Sequence, residues 1–498
     1  MNQVRVRFAP SPTGYLHVGN ARTALFNWLF ARQNKGVYIL RIEDTDIQRS
    51  EQQYEHQLIK DLQWMGLNWD EGPDKEGDFG PYRQSLRMDI YVSYANSLIE
   101  EGKAYYCFCK PEELKKERDK ALAAGKTPVY SGRCRGLPIE ESKKRIKQGE
   151  EAVIRLLTPD KGTLTFHDMV RGSLSFQLAL IGDPVLIRSN GHPSYNYAVV
   201  VDDALMKISH VIRGEDHIIN TVRQLLLYKA FQFDPPQFAH LSMVMGKDNT
   251  RLSKRHGATS VHQFSQEGIL PSALFNYLAL LGWSHPQGKE VLSIKDLIES
   301  FDLKKASRSS AVFDYDKLYW INREHIKSLS NRQKAEWASV YLKKAGYLPK
   351  KLNQDQWDWL ERAVADLMKG VNKFSELPEK FALFFDFSPE KMEEDAQKAL
   401  ETDCGRKVIK ALNEKLDQEA KVDFSQLSHI SSEIKKDTGC RGKELFHPLR
   451  VAITAQTSGL ELDKFIPLLE EGSRLNFPIP IKSCAQRVAE LSRFIQNI

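Results

Sequence analysis

The chain has no run near the ~18 uninterrupted apolar residues of a membrane-spanning helix. Its most apolar stretch, residues 273–283, is broken by Asn276, so no membrane partner is expected. Cysteine is scarce: six in 498 residues exclude the disulfide framework of a small secreted scaffold. Three of the six, Cys404, Cys440 and Cys484, are scattered and are expected to be small buried hydrophobes in a reducing, cytoplasmic setting. The first residues alternate like a strand and carry no apolar core of a secretory signal. Charge of one sign is not in excess either. Lys and Arg number 71 against 65 Asp and Glu, so any nucleic-acid footprint must be a local patch. There is no repeat, no low-complexity tract and no Walker loop; the one Gly-Lys-Thr, from Gly125, has Lys120 where the first loop glycine belongs. What is present is ordinary for a globular chain, and the length predicts two to four domains.

Val4, Val6 and Phe8 alternate with Arg5 and Arg7, which predicts a strand. A Pro/Gly loop follows, then a helix with Ala21, Ala24, Leu25, Trp28 and Leu29 on one face. Residues 37–42 predict a second strand, ending in Glu43-Asp44-Thr45-Asp46. Strand, loop, helix and strand in this order begin a doubly wound α/β sheet, where ligands sit at the carboxyl ends of strands. Residues 91–191 change character and suggest an insertion, with strand-like runs at 152–157 and 185–188. The α/β pattern returns at 195–202 and 208–213. Beyond Phe313 nearly everything is amphipathic helix, and the basic, polar segments 304–310 and 348–353 are expected to act as hinges.

Two segments carry chemistry. In Phe8-Ala9-Pro10-Ser11-Pro12-Thr13-Gly14-Tyr15-Leu16-His17-Val18-Gly19-Asn20, a glycine-containing loop opens a helix and offers unpaired N–H groups to phosphate. In Lys247-Asp248-Asn249-Thr250-Arg251-Leu252-Ser253-Lys254-Arg255-His256-Gly257, a cationic loop suits a clamp on a polyphosphate. Taken alone, the first reads equally as a shaped turn and the second as a solvated surface. Cys107-x-Cys109 followed by Tyr130-x-x-x-Cys134 is compatible with zinc, and equally with three reduced, packed cysteines.

Together, His-x-Gly-Asn early and Leu-Ser-Lys-Arg late resemble the paired signatures of class I aminoacyl-tRNA synthetases. Arg41-Ile42-Glu43-Asp44-Thr45-Asp46, Gly80-Pro81-Tyr82-Arg83-Gln84-Ser85, Val201-Asp202-Asp203, Val211-Ile212-Arg213-Gly214-Glu215-Asp216-His217 and the segment from Phe313 to Asn322 are similar to the glutamyl-tRNA synthetase family. The helical remainder resembles the bacterial type rather than the β-barrel end of glutaminyl enzymes.

The resemblance implies a multidomain α/β + α fold. A Rossmann-type parallel-sheet catalytic domain would occupy 1–92 and 195–238, with an α+β acceptor-stem-binding insertion carrying zinc at 93–194. A stem-contact region would follow at 239–330, and an all-helical anticodon-binding region at 331–498. It implies ATP-dependent ligation of L-glutamate to tRNA(Glu) through a glutamyl-adenylate, with Mg²⁺ on the nucleotide. Charging of tRNA(Gln) stays open, and a monomer is expected. His17 and Lys254 would be catalytic. ATP would meet Pro10, Thr13, Gly14, His17, Gly19, Asn20, Asp216, Arg251, Leu252, Ser253, Lys254 and Arg255. Arg7 with Tyr195 would read the side-chain carboxylate of glutamate, Arg213 the α-carboxylate, and Glu43 with Ser11 the amino group, beside Ala9. Cys107, Cys109, Tyr130 and Cys134 would hold structural zinc. Two departures stand out: Asn20 replaces the family's usual histidine, and Val199 stands where an asparagine is expected. A cytidylyltransferase-like enzyme would share the first loop but would not need the long helical end. A non-catalytic RNA-binding relative would not need His17, Glu43, Arg213 and Lys254 together.

Overall fold

A computed structural model describes residues 3–45, 51–416 and 422–496, and for Lys254 the backbone alone. Asp46 and the side chain of Lys254 therefore lie outside the described residues. The chain divides into two units: residues 1–265 with 271–321, and residues 266–270 with 322–498.

In the first unit, strand β1 (Arg5–Phe8) leads through helix α1 (Val18–Gln33) to β2 (Val37–Leu40), which pairs with β1 in parallel, Arg7 opposite Ile39. The β1 side chains are buried on both faces, as a strand between covered neighbours requires. Helix α2 (Gln52–Trp64) and helix α3 (Met88–Glu100) precede a three-stranded antiparallel sheet of β3 (Ala104–Cys107), β4 (Val153–Leu156) and β7 (Val185–Ile187), in the order β3-β4-β7. Helices α4 (Pro111–Ala123) and α5 (Ile139–Lys147) lie between β3 and β4; α4 buries no side chain.

The hairpin β5 (Thr163–Asp168) and β6 (Gly172–Gln177) returns to the main sheet. It pairs with β9 (Gln237–Leu241), which in turn runs parallel to β8 (His210–Gly214). Helices α6 (Tyr195–Leu205) and α7 (Ile218–Phe231) make the crossovers. The N–H of Ser209, just before β8, donates to the Arg5 carbonyl of β1 at 2.9 Å. The carboxyl ends of β1, β8 and β9 thus open on one side. Short strands β10 (Val244–Met245) and β11 (Ala311–Val312) pair beyond them. The segment 304–310, expected as a hinge, is tied down within this unit. Ser307 N–H donates to the Gly282 carbonyl at 2.7 Å, and Arg308 Nε to the Val170 carbonyl at 2.9 Å. Among the described residues no helix is long and apolar enough to cross a membrane.

The second unit is helical, as the periodicity predicts. Ser330, Asn353 and Asp423 each cap a helix with a glutamine three residues on, closing reciprocal capping boxes. Trp359 is the core anchor: it is fully buried, meets Phe381, Phe384 and Phe477 edge-on or tilted, and donates to the Leu468 carbonyl at 2.8 Å. One expectation fails here. Cys404 and Cys440 are bonded to each other and are not isolated hydrophobes, while Cys484 is buried and free. Cys404 lies in the first turn of the helix Asp403–Lys415, and Cys440 follows the left-handed Gly439 that ends the helix Phe424–Thr438. Packing of these helices brings together two thiols 36 positions apart, which no local spacing announces.

Arg487 is fully buried and donates only to backbone carbonyls: Lys482 at 3.1 Å, Leu383 at 3.0 Å, Ile453 at 2.8 Å and Phe384 at 2.7 Å. Leu383, Phe384 and Ile453 lie in the last turns of two helices, whose carbonyls have no intrahelical donors. Arg487→Met should leave these acceptors buried and unmet, costing about 3 kcal/mol. Hydrogen exchange should then lose protection in the helices Lys443–Thr454 and Cys484–Gln496. Unchanged protection would exclude this role for Arg487.

Candidate active site

The loop from Pro10 leaves the carboxyl end of β1 and feeds α1 through His17. His17 is the N-cap of α1, and its Nδ1 accepts the Gly19 N–H at 3.2 Å. That bond leaves the proton on Nε2. Burial lowers the pKa of His17 below its ordinary value, so the ring is a neutral donor at pH 7. A Cβ at Gly19 would meet only His17 Nδ1, at 3.5 Å, which leaves the space beyond it open.

The second segment folds as a hairpin. Gly246 N–H donates to the Thr250 carbonyl at 2.8 Å, Asn249 takes a left-handed φ of 57°, and Leu252 N–H reaches the Val244 carbonyl at 3.3 Å. The chain after it pairs with the chain before α1: Val18 N–H donates to Thr259, and Val261 N–H to Leu16, each at 2.9 Å. These backbone bonds bring the two segments to one cavity of about 420 Å³. Arg7, Ala9, Pro10, Ser11, Thr13, His17, Gly19, Asn20, Glu43, Tyr195, Arg213, Asp216, Arg251 and Leu252 all line it. Gly14, Ser253 and Arg255 do not. Ser253 N–H donates to His256 Nδ1 at 3.0 Å, and Arg255 pairs with Asp248 at 3.3 Å, so both groups serve the hairpin itself. Val199 is buried and does not border the cavity.

Beneath the cavity lies a buried ion network. Arg7 Nε meets Asp203 Oδ1 at 3.1 Å. Arg41, fully buried, reaches Asp203 at 2.7 Å and Glu43 at 3.0 Å. Arg87 meets Asp202 at 2.7 Å, and Gln84 and Tyr91 each donate to Asp202 at 2.8 Å. Burial opposes the charge on Asp203, but Arg7 and Arg41 outweigh it and hold its carboxyl below the ordinary range. Burial instead raises the carboxyl of Glu43 against the pull of Arg41 and Arg7. Three guanidinium groups face three carboxylates here. Arg7 keeps Nη1 out of these bonds.

Arg213 stands apart from this balance. It is buried, and its partners are neutral: Nη2 donates to Thr221 Oγ1 at 2.6 Å and to Gln224 Oε1 at 2.7 Å. Its Nη1 has no hydrogen-bond partner among the described residues. Tyr195 contacts His217 Nδ1 at 3.2 Å, and burial with the Arg213 charge brings His217 down to about 4, so it stays neutral. Burial outweighs the distant pull of Asp203 and lowers the pKa of Arg213, so the cavity holds a buried cation with no bonded carboxylate among the described residues, which a bound anion would stabilise. Arg41, Arg87, His217 and the Thr221–Gln224 cradle were not assigned from the sequence. Asp202 and Asp203 were visible as a motif, but nothing local said which cations they meet.

In the segment between β3 and β4, the sulfurs of Cys107, Cys109 and Cys134 lie within 4.8 Å of one another. The Tyr130 phenol oxygen is 3.3 Å from Cys107 Sγ and 3.5 Å from Cys109 Sγ. All four expected ligands converge on one spot.

Residues 3–320 match the family described as tRNA synthetases class I (E and Q), catalytic domain, and residues 333–474 match an anticodon binding domain. Fold and cavity are accordingly those of a class I tRNA synthetase. Among curated proteins the chain is 43% identical over 467 residues to glutamate–tRNA ligase 1 of Caldicellulosiruptor saccharolyticus, covering 94% of this chain and 96% of that protein. It is 45% identical over 470 residues to glutamate–tRNA ligase 2 of Syntrophus aciditrophicus, covering 94% and 96%. The crystal structure of a glutamate tRNA ligase from Elizabethkingia meningosepticum, in complex with its amino acid, superposes with a TM-score of 0.84 at 31% identity, covering 99% of each chain. The chain belongs to the glutamate–tRNA ligase family.

Removing one partner of the ion network leaves the others uncompensated. Asp203→Asn should cost about 3 kcal/mol or more, because Arg7 and Arg41 lose their shared counter-charge in a buried site. The check is the melting transition of the catalytic unit; a midpoint equal to wild type would remove Asp203 from the network's balance.

Proposed function

We propose that this chain ligates L-glutamate to the 3′ end of tRNA(Glu), consuming ATP and passing through glutamyl-adenylate. The observation that carries the reading is Arg213, buried without a carboxylate partner among the described residues, on the cavity that the two signature segments share. Glutamate brings two carboxylates and one ammonium, a net single negative charge that would balance this cation. In this reading Arg213 takes the α-carboxylate, Arg7 Nη1 with Tyr195 takes the side-chain carboxylate, and Glu43 with Ser11 takes the ammonium. An arginine fork suits carboxylate, whereas the amide of glutamine would leave its donors poorly met.

An oxygen of the α-carboxylate attacks the α-phosphorus of ATP, the bond to the bridging oxygen breaks, and pyrophosphate leaves. The barrier falls through positioning and stabilisation of charge on the phosphate oxygens. Neutral His17 donates from Nε2, the N-terminus of α1 adds its dipole, and Lys254 supplies a point charge. Gly19, Asn20, Asp216, Arg251 and Leu252 complete the nucleotide site, with Mg²⁺ on the nucleotide. In the second step a hydroxyl of the terminal adenosine of tRNA attacks the glutamyl carbonyl and AMP leaves. We place the reaction in the cytoplasm, where ATP and tRNA meet, and read the chain as a monomer. The Cys404–Cys440 bond is the one described feature that a reducing compartment does not favour.

The cysteine cluster fits zinc: three thiolates and a phenol offer four ligands, and a closed set of four is structural, with no open position for catalysis. Cys107, Cys109, Tyr130 and Cys134 would then pin the end of β3 to the loop that precedes α5.

Purified protein should charge tRNA(Glu) with radiolabelled glutamate only when ATP is present. Lys254→Ala should slow tRNA-supported pyrophosphate exchange at least about 100-fold while tRNA affinity stays close to wild type. Absence of charging would refute the function, and near-normal exchange in the variant would remove Lys254 from the chemistry. Metal analysis should find about one zinc per chain, with removal by chelator loosening the segment between β3 and β4 in hydrogen exchange. Metal-free protein with that segment fully protected would leave the cysteines as packed thiols.

A further inference from the structure

Behind Arg213 lies a polar chain that the proposed chemistry leaves unused. His240, in β9, is fully buried, and its Nδ1 lies 2.6 Å from Asp168 Oδ2. Asp168, the last residue of β5, is also fully buried and accepts backbone N–H groups from Val170 at 3.0 Å, Arg171 at 2.8 Å and His240 at 3.1 Å. Burial works against its charge, but the His240 bond and these N–H groups outweigh it and keep the carboxylate ionised. The shared proton therefore sits on Nδ1. Burial also lowers the pKa of His240, so no second proton is added near neutral pH.

His240 Nε2 is then a bare acceptor. It lies 2.9 Å from Thr221 Oγ1 and 3.4 Å from Arg213 Nε. With the Thr221 hydroxyl donating to Nε2, its oxygen is free to accept Arg213 Nη2, which it does at 2.6 Å. All donors then point one way, from Arg213 through Thr221 to His240 and on to Asp168. The Thr221 hydroxyl also lies 3.3 Å from the His217 carbonyl, a longer contact than the one to Nε2. The opposite tautomer would set an N–H on Nε2 against the Arg213 Nε–H and leave Nδ1 bare against the Asp168 carboxylate.

We propose that the Asp168–His240 pair is a positioning device for glutamate: it fixes the tautomer that orients Arg213 and aims its unpartnered Nη1 at the α-carboxylate. The inference rests on the reading of Arg213 given above. Neither His240 nor Asp168 borders the cavity, so both act through Arg213 and touch no substrate. The hairpin β5–β6, which reaches the main sheet at Asp168, thereby becomes part of amino-acid recognition.

A pair of variants tests this by pyrophosphate exchange in the presence of tRNA. Gln at position 240 can bring its carbonyl to the place of Nε2, whereas Asn reaches only the place of Nδ1, where its amide NH2 can donate to Asp168 but no acceptor is left for Thr221 and Arg213. His240→Gln should keep the KM for glutamate within about twofold of wild type, and His240→Asn should raise it about 10-fold, with the KM for ATP unmoved in both. Equal glutamate KM values in the two variants, or parallel changes in the ATP and glutamate KM values, would overturn the proposal, since a merely structural role does not separate the substrates. If His240→Asn does not fold, Thr221→Val should raise the glutamate KM alone by a similar factor, and no rise would count equally against the pair. A wild-type protein that fails to activate glutamate refutes the function itself, whereas activation with insensitive variants refutes only the role of His240.

Discussion

Arg41 is fully buried, and its guanidinium is divided between Asp203 and Glu43, 162 and 2 positions away in sequence. That single cation decides much of the first unit. It joins the end of β2 to α6, and through Asp203 it holds Arg7 at the end of β1. Breaking such a pair by removing one partner costs far more than never having built it, because the survivor stays charged in a poor solvent. The network therefore has to form as a whole, with Arg87, Gln84 and Tyr91 satisfying Asp202 on its far side.

With the network balanced, the charge next to it becomes meaningful. Arg213 sits on neutral acceptors and bonds no carboxylate among the described residues, with Asp203 acting on it only at a distance. Arg7 is tied to Asp203 by two of its three nitrogens, whereas Arg213 bonds none of the described carboxylates, so the two cations face the cavity with unequal internal compensation. A zwitterion with two carboxylates suits that inequality. The neutral state of His217 fits as well, since burial and the Arg213 charge keep a second cation from forming beside it.

Backbone pairing does for the His17 side of the cavity what ion pairing does for the Arg7 side. The bonds of Val18 to Thr259 and of Val261 to Leu16 clamp the chain after the basic hairpin onto the chain before α1. Two of the hairpin's exposed cations are paired within it or beside it: Arg255 with Asp248, and Lys247 with Asp314 and Asp316. A hairpin held by such solvent-exposed pairs costs little to rearrange, because exposed ion pairs contribute little to stability.

The order of residues along the chain determined the local elements and their punctuation. The alternation of residues 4–8, the Pro/Gly loop, the apolar face of α1 and the amphipathic helices beyond Phe313 are all short-range patterns, and short-range patterns set local backbone geometry. It also pointed to where the cavity would open, because a strand followed by a glycine loop and a helix N-terminus leaves backbone donors at the strand's carboxyl end whatever packs behind it. Only the tertiary structure decided which charges cancel. That Asp203 serves Arg7 and Arg41, that Asp168 orients His240 behind Arg213, and that Cys404 finds Cys440 depend on side chains brought together by packing from distant positions. Electrostatic and covalent partners are chosen by distance in space, and distance along the chain carries no record of it.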